Sequence, residues 1–124
     1  MSAVVAIAVG GALGALARYG LVSWVTGRTT GVFPWGTFLV NITGAFVIGV
    51  LFSVLRHKEW GSHALHSALI VGFLGAYTTF STLMIDSYTL SEHRAFFMAA
   101  ANVLGSCSAG LVAVYLGVLA GRAI

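Results

Sequence analysis

Charged residues are missing from four long runs of this sequence, residues 1–17, 29–55, 64–85 and 95–121. A helix needs roughly 20 apolar residues to cross the hydrocarbon core of a bilayer. The runs therefore predict four transmembrane spans, at about 3–25, 34–56, 64–90 and 95–121. Only 7% of the 124 residues are charged and 59% are hydrophobic, where a soluble domain carries about 25% charged residues. So few charges cannot coat a water-facing surface, and an all-α, multi-pass integral membrane protein follows. Four spans use the whole chain, so residues 1–124 are expected to form a single four-helix transmembrane domain.

The same counts narrow the function. Six basic residues against three acidic ones are too sparse for a nucleic-acid footprint, and no Lys/Arg cluster interleaves with aromatics. The first seventeen residues lack the basic n-region of a secretory signal, which favours a retained first span. No nucleophile–base pair or metal-ligand set can be assembled, which argues against an enzyme. His63 and His66 are three apart but have no third ligand nearby. The single cysteine, Cys107, excludes an internal disulfide and is expected to be a small buried packing residue.

One span does not read as a regular helix. Gly72-Phe73-Leu74-Gly75-Ala76-Tyr77-Thr78-Thr79-Phe80-Ser81-Thr82-Leu83 sets two glycines and several hydroxyls in the middle of an apolar run. Glycine weakens a helix by roughly 1 kcal/mol relative to alanine. Ser and Thr offer the backbone alternative hydrogen bonds. The third helix is therefore expected to be broken mid-membrane. Irregular backbone at that depth survives only inside protein or beside a water-filled cavity. Its freed carbonyls can hold a cation, and a helix N-terminus can attract an anion.

Around this break lie other polar residues in apolar surroundings. Arg18 is the only strongly basic residue well inside a span; it either snorkels to the headgroups or serves a buried structural or anion-attracting role. Thr37 and Asn41 are four apart and share a helix face. Asn41 needs a partner, either across to another helix or in a pore. Asn102 and Ser106 begin a line on the fourth span that continues into Gly110 and Val114. Gly10 with Gly14, and Gly117 with Gly121, form small-xxx-small pairs that permit close helix approach. Pro34 and Trp35 suit the start of the second span at the membrane interface. So does the stretch Arg56-His57-Lys58-Glu59-Trp60 between spans two and three. Arg56, Lys58 and Arg122 fall on one side and Arg28 and Arg94 on the other. That asymmetry is too weak to fix an orientation, so insertion in both directions is open.

Taken together, Gly10-Gly11, Gly14 and Arg18-Tyr19, Pro34-Trp35-Gly36-Thr37-Phe38-Leu39-Val40-Asn41 with Gly44, and Gly72-Phe73-Leu74-Gly75 with Thr78-Thr79-Phe80-Ser81-Thr82 resemble the CrcB/Fluc fluoride channel family. The resemblance covers the whole chain. It implies an antiparallel dual-topology dimer in the cell membrane, with two fluoride pores. It also implies a structural Na+ at the dimer centre, held by backbone carbonyls at Gly75 and Thr78. It places Asn41, Phe80, Ser81, Thr82 and Ser106 along the fluoride path. Thr37, Thr79, Leu83 and Arg18 are further candidates for the pore.

Two positions depart from the family pattern. Its second aromatic, three residues after Phe80, is Leu83 here, and its fourth-span polar track runs into Gly110 and Val114. These departures raise the expectation of a heterodimer with a related, oppositely inserted subunit, as against a homodimer. The leading reading is passive, fluoride-selective export that lowers internal fluoride. One alternative is a pore-degenerate partner subunit. Another is a proton-coupled exporter of the small multidrug type, which wants a membrane-embedded carboxylate; Asp86, read as lying near a helix end, is a poor candidate.

Overall fold

The computed structural model describes residues 2–58 and 61–124. Among the described residues, four helical stretches are long and apolar enough to cross a membrane: Ala3–Thr26, Trp35–Arg56, His63–Glu92 and Phe96–Ala123. This is a multi-pass membrane protein. The interfacial residues expected at Glu59 and Trp60 lie outside the described residues.

Helix α1 (Ala3–Thr26) begins at Ser2, whose hydroxyl accepts the Val5 N–H. Helix α2 (Trp35–Lys58) starts just after Pro34, where a missing N–H costs nothing. The third span is composite. It runs through α3 (His63–His66), a π-helix (Ser67–Leu74) and α4 (Gly75–Tyr77), and resumes as α5 (Phe80–Glu92). Helix α6 (Phe96–Ala123) closes the chain.

The interior is built from small and polar residues, and the outside is apolar. Thr37, Ser53, Thr79, Ser87, Asn102 and Ser106 are buried, while Val4, Leu16, Phe97 and Leu111 are exposed. This inversion suits a solvent of lipid tails, in which helices gain nothing by hiding leucine and associate through close packing and hydrogen bonds instead.

The glycine pairs provide that packing within the chain. A Cβ on Gly10 would overlap the Ala68 carbonyl, and one on Gly14 the Phe73 carbonyl. Helix α1 therefore lies backbone-to-backbone against the π-helix. On the other side, Gly49 meets Val114, Gly117 meets Phe46, and Gly121 meets Val50 and Ser53. The matched order of these contacts makes α2 and α6 parallel, with their C-termini at the same end.

The π-helix is a feature the residue pattern does not announce. Its i→i+5 pairing widens the turn. The carbonyl of Ala68 and the N–H of Phe73, five residues on, both face Gly10. A glycine stripe on α1 is what admits this wider backbone.

Candidate functional site

The break falls at Thr78 and Thr79, inside the stretch where the third span is expected to fail as a helix. Both are extended, with φ −80°, ψ 156° and φ −149°, ψ 114°. Side chains take up several of the backbone groups freed there. Thr78 turns its hydroxyl back onto the Leu74 carbonyl at 2.9 Å. Thr79 caps α5, its Oγ1 accepting the Thr82 N–H at 3.2 Å, and donates to Thr82 Oγ1 at 2.9 Å. Asn41 on α2 pairs with Thr79 much as a neighbouring strand would. Its Oδ1 accepts the Thr79 N–H at 2.7 Å and its Nδ2 donates to the Thr79 carbonyl at 3.0 Å. Gly44, one turn along α2, leaves room for the Thr78 methyl, which a Cβ there would strike.

This arrangement has a consequence for the carbonyls. In a continuous helix the Thr79 N–H would bond to the Gly75 carbonyl. Asn41 takes that donor instead, so the Gly75 carbonyl is released where Gly75 itself is exposed. On the other side of the break, α5 presents its first N–H groups, of which the Thr79 cap satisfies that of Thr82. A released carbonyl and a helix N-terminus thus sit a few residues apart.

A groove of about 400 Å³ runs beside the break, between α2, the third span and α6. It gathers Asn41, Gly75, Thr78, Thr79, Phe80, Leu83 and Ser106. Phe80 is 72% exposed, whereas Leu83 is buried. The Ser106 hydroxyl is buried without a hydrogen-bond partner. Val114 lies on the same wall, an apolar end to the line that Ser106 begins.

Other expected site residues lie elsewhere. Ser81 is exposed and Thr82 half-buried, and neither lines the groove. Arg18 is half-buried. Thr37 is buried and donates to Asp86 Oδ2 at 2.7 Å. Asp86 stands midway along α5, six residues before Glu92, rather than near a helix end. Asn102 turns away from the groove: it donates to Ser87 Oγ at 3.0 Å, and Ser87 donates to the Leu83 carbonyl at 2.7 Å. Cys107 corrects the expectation of a buried packing residue. It is exposed and borders the groove, because it follows Ser106 on the open side of α6. The Thr43–Tyr77 hydroxyl pair at 2.8 Å had no signal in the residue pattern beyond two polar groups on different spans.

The family model described as "CrcB-like protein, Camphor Resistance (CrcB)" matches residues 5–118. The chain belongs to the CrcB-like family. Curated relatives agree over nearly the full length. A Geobacter sulfurreducens protein named "Fluoride-specific ion channel FluC" is 42% identical over 98% of this chain and 98% of its own. A protein of the same name from Geotalea uraniireducens is 43% identical over 100% of both chains. One from Rhizobium meliloti is 38% identical over 100% of this chain and 99% of its own. All three relatives share that name. Among the described residues no group of three His, Cys, Asp or Glu could hold a metal ion.

Proposed function

We propose that this chain is a subunit of a fluoride-selective channel that lets fluoride leave the cell passively, lowering its internal level. The observation that carries the reading is the groove beside the break, where Asn41, Thr79, Phe80 and the unpartnered Ser106 hydroxyl come together. Full-length relatives named as fluoride-specific channels support it.

Fluoride is small and strongly hydrated, so a selective path must substitute protein donors for water. Ser106 Oγ has a free donor, and Asn41 keeps a second amide hydrogen beyond its bond to Thr79. The edge of the Phe80 ring is electropositive and can meet an anion. Ser81, Thr82, Thr37, Thr79 and Leu83 would contribute at the ends or walls of the path, and Arg18 would draw anions toward it. No step requires a titrating group.

The same break suits a sodium ion. The Gly75 and Thr78 carbonyls would hold it, and a bound cation raises the local positive potential. Two carbonyls are too few to replace a water shell, so a second copy in the opposite orientation would complete the set. An antiparallel dimer would also cover the open groove. Leu83 favours a second reading. It is buried in its own chain and offers no ring to the groove, so a related, inverted subunit would supply the missing aromatic.

Efflux from proteoliposomes tests the proposal. The protein alone should release fluoride much faster than chloride, and Phe80→Ile should cut that release while its melting in detergent stays unchanged. No fluoride selectivity from this chain alone, restored on adding a related subunit, would establish the partner reading. No selectivity under either condition would end both.

A further inference from the structure

We propose that the cavity between the C-terminal ends of α2 and α6 binds the phosphate headgroup of an anionic phospholipid. The parallel packing through Gly49, Gly117 and Gly121 brings these two helix ends together on one side of the bundle. There a cavity of about 200 Å³ is lined by Phe52, Ser53, Arg56, Val118 and Arg122. None of these residues lines the groove beside the break, so the site is separate from the one described above.

Its lining is amphiphilic. Two guanidinium groups face it from neighbouring helices, and among the described residues no carboxylate lines it. Phe52, 53% exposed, and Val118 supply an apolar wall. At the inner side the Ser53 hydroxyl is buried without a hydrogen-bond partner. A free inorganic anion has no use for the apolar wall, whereas a phospholipid does: its phosphate meets the arginines and its glycerol and acyl carbons meet Phe52 and Val118.

An ordinary duty of arginine at a helix end is to bond the last carbonyls. Arg28 does this on α1, donating from Nη1 to the Trp24 carbonyl at 3.3 Å. Arg56 instead lies 5.9 Å from the Phe52 ring. Neither Arg56 nor Arg122 has an ion pair or carbonyl bond among the described residues. Among the described residues, then, the Arg122 charge has no partner and that of Arg56 meets only the Phe52 ring. Helix ends at the membrane surface place them at headgroup depth, where guanidinium forks fit phosphate oxygens.

The test is native mass spectrometry of the purified protein titrated with phosphatidylglycerol, phosphatidylcholine or inorganic phosphate. Phosphatidylglycerol should be retained over phosphatidylcholine. Each Arg→Gln change, Arg56→Gln or Arg122→Gln, should weaken retention about fivefold, the worth of one basic residue near a membrane surface. Arg122→Gln, in the exposed last turn, serves where Arg56→Gln does not fold. Equal retention of the two lipids, or retention indifferent to Arg122→Gln, overturns the proposal. Displacement of the lipid by millimolar inorganic phosphate overturns the lipid assignment in favour of a free-anion site.

Discussion

Replacing Asn41 by alanine tests the physical account of the break. The side chain makes two hydrogen bonds with Thr79, accepting its N–H at 2.7 Å and donating to its carbonyl at 3.0 Å. The carbonyl keeps its helical partner in α5 when Asn41 is removed, so that bond costs only its net value of about 1 kcal/mol. The N–H has no substitute. Thr79 is 7% exposed, and a buried donor left unpaired costs about 1–3 kcal/mol. The sum is about 2–4 kcal/mol. In membranes the unfolded reference also finds partners, and measured interhelical bonds average about 0.6 kcal/mol. Two such bonds set a floor of about 1.2 kcal/mol.

Reversible unfolding in mixed micelles measures the difference. Ser108→Ala is the matched control, because the Ser108 hydroxyl is exposed and bonds only to Leu104 of its own helix. Asn41→Ala should lower stability by about 2–3 kcal/mol, with the control within about 0.5 kcal/mol. An Asn41→Ala protein as stable as the control refutes the pairing. This weight on Asn41 also changes how its flux should be read. Loss of fluoride efflux in an Asn41 variant mixes conduction with integrity of the break, whereas Phe80, exposed along the groove, does not carry that second role.

Four further outcomes follow from the packing and the hydrogen bonds. Gly10→Ala, Gly14→Ala and Gly117→Ala each drive a methyl into backbone of another span, and should impair folding severely in expression and melting tests. Gly20→Ala meets nothing within 4 Å and should be neutral or stabilising by up to about 1 kcal/mol. Arg94 holds φ 60° at the end of α5, where the Ala95 N–H bonds the Leu90 carbonyl and the Arg94 N–H bonds that of Ser91; glycine is the usual residue at such a helix stop. Arg94→Gly should therefore raise stability by about 0.5–1 kcal/mol, read as a shifted unfolding midpoint. Thr37→Val removes the donor to Asp86 and should cost about 1.5–3 kcal/mol, as for hydrogen bonds to charged groups; an unchanged midpoint would mean that water or lipid headgroups replace the hydroxyl freely.

Periodicity and charge were enough to locate the spans, because hydrocarbon tolerates few charges and the four charge-free runs leave few alternatives. The break was legible for a related reason: glycine and hydroxyl residues inside an apolar run contradict a helix locally, at Thr78 and Thr79 as well as anywhere in the protein. What could not be read was pairing at a distance. Nothing in the residue order distinguishes Asn41 facing Thr79 from Asn102 facing Ser87, since both are lone amides in apolar helices. The π-helix was equally hidden. Its wider turn is stabilised by the close approach of Gly10 and Gly14, a tertiary condition with no local signature. The bond from Thr37, near the start of α2, to Asp86 joins residues 49 apart and likewise has no local signature.

The released Gly75 carbonyl bears on why a broken helix should persist here at all. Carbonyls facing hydrocarbon cost several kcal/mol each, and a single chain exposes Gly75 beside an open groove. Alanine or leucine at Thr78 and Thr79, with a continuous helix, would avoid that cost entirely. The chain instead commits Asn41, Gly44 and two threonine hydroxyls to holding the irregular backbone in place. Such a structure is stable in a bilayer only if something polar or proteinaceous covers the carbonyls. A second inverted copy and a shared cation would do both, which is why the dimer and the sodium site are proposed together. They also stand or fall together: a monomeric protein, equally stable with and without sodium in the membrane, would leave the exposed carbonyl unexplained and remove the reason for either.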